Sequence, residues 1–211
     1  MKHISISNRS YAIVSHAIII HESLDDILNH LSRNNPIRMH FLNVICDIVS
    51  MSNTNTSRCI FEKRVVQAMM NILRRKDNPE KVLATTILRH MSYNQDSKEE
   101  IINSSIVHLF SRQITTFVEV LRTQIVGIIS NISESIQYHM SLIRQGVMTI
   151  ISTLHNNSNT EIRFVSILTL LKFDFYSSFR PFHYFFRIAH DHCQTYVLTR
   201  KFNRSLSNKV G

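Results

Sequence analysis

The chain has 211 residues, 24 Lys and Arg against 15 Asp and Glu, and only three Gly, three Pro and three Cys. So few turn formers among many aliphatic residues suit long helices joined by short polar turns and argue against a sheet-rich fold. The formal charge of +9 sets a modest positive field that favours acidic partners without by itself implying nucleic acid.

Taken from the N-terminus, Ile20, Leu24, Ile27 and Leu28 form the first apolar helical stripe, with Phe41, Ile45, Asp47 and Ile48 in a second after the turn Asn34-Asn35-Pro36. The first stripe returns 41 residues later as Phe61, Val65, Ala68 and Met69, then as Ile102, Ile106, Leu109 and Phe110, and again as Ile143, Val147, Ile150 and Ile151. The second returns as Ala84-Thr-Thr-Ile-Leu88-Arg-His90-Met91-Ser92, as Ile125-Val-Gly-Ile-Ile129-Ser-Asn131-Ile132-Ser133, and as Ser166, Leu170, Lys172 and Phe173. Two apolar templates sharing one period are the signature of a repeat array. Asp77-Asn78-Pro79 and Asn156-Asn157-Ser158-Asn159 supply further helix caps and a Pro suited to a first turn. Each period is expected to hold a long helix after the Asn-rich turn, then a short one, then a medium one.

Ile143-Arg144-Gln145-Gly146-Val147, followed by Ile150, Ile151 and Leu154, together with Ile129-Ser130-Asn131-Ile132-Ser133, resembles the armadillo repeat family. The resemblance implies an all-α, right-handed solenoid of about four three-helix repeats at roughly 9–50, 51–92, 93–133 and 134–173, with a stub of an earlier repeat at 1–8. HEAT repeats share the period but have two helices, and stand as the alternative. In the family a Gly turns the chain between the first and second helices; here Ser23, Arg64 and Ser105 stand at the positions equivalent to Gly146. The chain starts almost inside a repeat and leaves the pattern after a third helix, so a truncated or variant form of a longer array is expected, with self-association possible through uncapped ends.

What the resemblance implies about function is a ladder of third helices along which an extended partner segment lies, a terminal Asn of each helix bonding its backbone. An amide suits that because it donates and accepts at once. The equivalent column reads Asp47, His90, Asn131 and Lys172, and one turn earlier it reads Asn43, Thr86, Gly127 and Leu168, so only Asn131 keeps the family type. These eight residues are the candidate partner groove; their alternative role is as merely solvated positions. Importin-alpha proteins pair Trp with Asn here, and a chain without Trp is not expected to be a nuclear-import receptor. Arg38, Lys81, Arg122 and Arg163 form another column, nine residues ahead of the Asn position and half a turn from its face, for which a structural or solvated role is expected.

Catalysis is not expected: no nucleophile with its base, paired carboxylates or Gly-rich phosphate loop is recognisable. Cys46, Cys59 and Cys193 are irregularly spaced, which fits a reducing, cytoplasmic or nuclear setting, and Ala17 to Ile20 is too short for a membrane span. His183, His190, Asp191, His192 and Cys193 offer zinc-type ligands without paired spacing, so neither metal nor cofactor is expected. From Asp174 the repeat stops and a basic, aromatic tail follows, as in Phe179-Arg180-Pro181-Phe182-His183-Tyr184-Phe185-Phe186-Arg187. The leading reading is a protein-binding scaffold; binding of nucleic acid or an anionic membrane through this tail is the alternative.

Overall fold

The computed structural model describes Leu28, Leu31 and residues 38–51, 63–75 and 78–176. The described residues form helices α1 (Arg38–Met51), α2 (Lys63–Leu73), α3 (Asn78–Met91), α4 (Gln95–Asn103), α5 (Ile106–Gln113), α6 (Glu119–Ile132), a 3-10 turn (Ile136–Tyr138), α7 (His139–Arg144), α8 (Val147–Leu154) and α9 (Thr160–Tyr176). The chain divides into two compact units between Glu100 and Ile101, within α4. The stub at 1–8, Ser23, and the tail from residue 177 with its His and Cys residues lie outside the described residues.

In the first unit α3 packs against both α1 and α2. Leu42, Ile45 and Val49 of α1 are buried, as are Val65, Met69, Ile72 and Leu73 of α2 and Ala84, Ile87, Leu88 and Met91 of α3. In the second unit α8 packs against α5, α6, α7 and α9, and α6 lies along α9. Ile106 and Phe110, Ile125, Ile129 and Ile132, Val147, Ile150 and Ile151, and Leu170 and Phe173 fill its core. Both apolar templates therefore point inward, and at about 1.5–3 kcal/mol per fully buried large aliphatic side chain they hold the helices together.

The periods 93–133 and 134–173 each contain three helices, which decides against a two-helix repeat. The expected short-then-medium order is not seen in the first of these: α4 has nine residues and α5 eight. The last helix, α9, runs to Tyr176, just past the residue at which the repeat pattern ends in the sequence.

The period is visible in the backbone bonds. At Gly146 the chain turns with φ 89°, its N–H donates to Ile143 O, and its own carbonyl accepts from Thr149 and Ile150. Forty-one residues earlier Ser105 turns with φ 59°, donates to Ile102 O, and accepts from His108 and Leu109. The left-handed joint is thus kept at Ser105 without Gly, at a cost of about 1–2 kcal/mol for a residue with a Cβ, whereas Arg64, at the equivalent position one period earlier, lies within α2. Ser92 and Ser133 close α3 and α6 in the same way, with N–H to Leu88 O and Ile129 O at 2.9 Å and Oγ to the carbonyls of Arg89 and Ser130 at 2.6 and 2.8 Å.

Candidate functional site

The candidate residues sit four apart on the third helices, so each pair lies on one helix face. In the first unit Asn43 and Asp47 of α1 are exposed, while Thr86 and His90 of the adjoining α3 are half-buried. Thr86 Oγ donates to Val82 O of its own helix at 2.9 Å. His90 is held below the usual imidazole range, first by burial and then by Arg89, so near neutral pH this position offers an uncharged ring rather than a cation. Cys46, next to Asp47, has its thiol pushed up by burial and by that carboxylate, which keeps the sulfur protonated and poorly nucleophilic.

In the second unit the face of α6 carries Val120, Gln124, Gly127 and Asn131, and that of α9 carries Glu161, Val165, Leu168 and Lys172 in the same register. Gly127 is buried and contributes only backbone; Asn131, Leu168 and Lys172 are half-buried. Lys172 is tied back to the C-terminal end of α6, its Nζ donating to Ser130 O at 2.9 Å and Ser130 Oγ at 3.1 Å and lying 3.5 Å from Glu134 Oε1. A cation belongs there, because the last carbonyls of a helix lack intrahelical donors and carry the negative end of its dipole. Ser130 and Glu134 escaped sequence reasoning. Their signal was faint: Ser130 stands next to Asn131, the residue one period before Lys172, and its partner stands on another helix.

The basic column has a structural role at three of its positions. Arg38 is buried and ion-paired with Glu80. Arg122 donates to Ile114 O and Thr115 O at 3.1 and 2.8 Å, and Arg163 to Asn157 O at 2.8 Å and Thr160 Oγ at 3.3 Å. Both of these clamp the turn that leads from a second helix into a third. Lys81, the fourth member, is buried. Asn159 caps α9, its Oδ1 accepting from the N–H groups of Glu161 and Ile162 at 2.9 and 3.3 Å.

Among the described residues no group of three metal-ligating side chains exists, and no helix is long and apolar enough to cross a membrane.

Three helices in each of the periods 93–133 and 134–173, a left-handed joint between the first and second, and a long third helix define the fold as that of an armadillo-type repeat array. The solved structures agree. The chain is similar to a designed armadillo repeat protein in complex with the peptide (KR)4, at 13% identity and a TM-score of 0.65 over 77% of this chain and 74% of that one. It is equally similar to computationally designed armadillo repeat proteins for modular peptide recognition, at 12% identity and a TM-score of 0.65 over 80% and 78% of the two chains. A further designed armadillo repeat protein superposes with a TM-score of 0.64 at 14% identity, covering 76% of this chain and 74% of that one. No family model matches the sequence, and no curated protein matches it either.

Proposed function

We propose that the protein is a non-catalytic interaction scaffold of the cytoplasm or nucleus that binds an extended segment of a partner protein along the faces of its third helices. The observation that carries this reading is the register within each unit: Asn43 and Asp47 beside Thr86 and His90, and Gly127 and Asn131 beside Leu168 and Lys172, on third helices packed side by side. Such a surface mixes carboxylate, neutral imidazole, amide, aliphatic and ammonium groups, which favours selection of a partner by its side chains over a uniform grip on its backbone. The designed armadillo proteins it resembles, one of them bound to a peptide and another built for peptide recognition, support a peptide-binding use of the fold.

The test is a library of unstructured twelve-residue peptides, screened for binding to the full chain and to the double variant His90→Ala, Asn131→Ala. Peptides that bind the parent chain should bind the variant at least about tenfold more weakly, the loss of roughly 1.4 kcal/mol, while the helical spectrum and melt stay the same. Equal affinity for both proteins overturns the reading.

A further inference from the structure

The turn that leads into α9 differs from its counterpart one period earlier. Before α6 the turn is anchored by Ile114 and Phe117, 1% and 5% exposed. Forty-one residues on, these positions hold His155, half-buried, and Ser158, exposed. Residues 155–161 form the longest run among the described residues in which no side chain is buried. Polar bonds hold this turn instead: Arg163 donates to Asn157 O and Thr160 Oγ, and Asn159 caps α9 while its Nδ2 donates to Glu119 Oε1 on α6. None of them uses the Ser158 side chain, whose hydroxyl makes no hydrogen bond to a described residue. Such a segment opens locally at low cost, because opening it uncovers no core. Three residues past Ser158 stands Glu161, exposed, in the first turn of α9, its carboxylate paired with no described residue.

We propose that Ser158 is a phosphorylation site for an acid-directed serine/threonine kinase, with Glu161 as the residue the kinase reads, and that the phosphate turns acidic segments away from the scaffold. Ser158-Asn159-Thr160-Glu161 places an open hydroxyl three residues ahead of an open carboxylate, which a basic kinase cleft holds by charge-assisted bonds. Thr160 is exposed too, but its hydroxyl accepts from Arg163, and the residue three places on is that same Arg163. In the transfer Ser158 Oγ attacks the γ-phosphorus of ATP, the bond to the β-phosphate oxygen breaks, ADP leaves, and the hydroxyl proton passes to the carboxylate base of the kinase. The product carries about −1.5 to −2 charges at neutral pH. The fold tolerates them there, because the first turn of a helix and a neighbouring guanidinium both favour an anion. The regulatory half rests on the scaffold reading above. Glu161 opens the face of α9 that carries Val165, Leu168 and Lys172, and Glu119 stands in the first turn of α6, so a phosphate on Ser158 joins two carboxylates at one end of that face. The positive charge of the chain as a whole, +9, draws acidic segments in; the modified turn opposes them.

The experiment incubates the full chain with ATP and a purified acid-directed serine/threonine kinase, with an acidic peptide substrate as positive control, and maps the phosphate by mass spectrometry. The parent chain should take up phosphate on Ser158, and Ser158→Ala should take up none. Glu161→Gln should slow the transfer at least about tenfold, the loss expected when a charge-assisted hydrogen bond to the kinase becomes a neutral one; Glu161 is exposed, so this variant keeps its fold. No phosphate on Ser158 of the parent chain, or equal rates for the parent and Glu161→Gln, overturns the site. Acidic peptides from the library screen should then bind the phosphorylated chain about two- to fivefold more weakly than the unmodified one, with no such change in Ser158→Ala treated in the same way. Equal affinity of the two forms overturns the regulatory half. Should no peptide bind either form while Ser158 is phosphorylated, the scaffold reading fails and takes the regulatory half with it, and the kinase site stands.

Discussion

Arg38 and Glu80 join the first turns of two third helices across 42 residues of chain, with Nε and Nη2 of the guanidinium 2.7 and 2.6 Å from the same carboxylate oxygen, Oε1, and side chains only 5% and 11% exposed. The other oxygen, Oε2, is buried without a hydrogen-bond partner. A pair taken out of water contributes little net stability, but losing one partner strands a buried charge. Arg38→Ala or Glu80→Ala should therefore cost about 3–5 kcal/mol in chemical denaturation. The double variant Arg38→Met, Glu80→Leu should recover most of that loss; a double variant as unstable as either single one would contradict this account.

The two left-handed joints predict opposite responses to substitution. Ser105→Gly relieves about 1–2 kcal/mol of backbone strain and gives back about 0.4–1 kcal/mol through the freer unfolded chain, so a net gain of about 0.5–1 kcal/mol is expected. Gly146→Ala introduces the same strain and places a Cβ 2.9 Å from Ser111 Oγ and 3.0 Å from its Cβ. A loss of about 1–3 kcal/mol should follow. Thermal melts of the two variants check both signs.

Arg122 and Arg163 should act as clamps on the turns before α6 and α9. Replacing either with Ala removes two hydrogen bonds that are partly open to solvent, for an expected loss of about 1–2 kcal/mol, and replacement of Arg122 with Lys should recover only part of it because one ammonium cannot reproduce the planar fork. Equilibrium unfolding reads the differences directly, and peptide binding should be unaffected, since neither residue lies on the proposed binding face.

His90 carries a pH dependence of known sign. Its folded pKa lies below the unfolded value of 6.5, so the unfolded chain binds more protons in the window just below that value. Its stabilising contribution is fully present above pH 6.5 and declines as the pH falls through the folded pKa. Denaturation of the parent chain and of His90→Gln across pH 7.5 to 5 should give curves that converge toward acid; parallel curves would count against the assignment.

Much of the fold was written in the sequence. The spacing of Ile106 and Phe110 against Val147 and Ile151 reflects burial on one side of a helix, and a period of 41 is its repetition, so a one-dimensional pattern suffices to find both. Asn159 as a cap was equally legible, because a cap and the N–H groups it serves lie within three residues. The left-handed turn at Ser105 was legible only by its alignment with Gly146, as nothing in the residue itself demands a positive φ.

The candidate residues were legible by position and not by state. The sequence determined that Asn43 and Asp47, Thr86 and His90, Gly127 and Asn131, and Leu168 and Lys172 each share one face of a helix, since helical periodicity fixes which residues share a face. Only the tertiary structure decided that Arg38 is locked onto Glu80 in the first unit, that Thr86 turns its hydroxyl into its own helix, that His90 is held neutral, and that Lys172 is bound to Ser130 with Glu134 beside it. Charge state, burial and hydrogen bonding depend on which helix lies alongside. That neighbour stands a whole period away, beyond the reach of any local pattern.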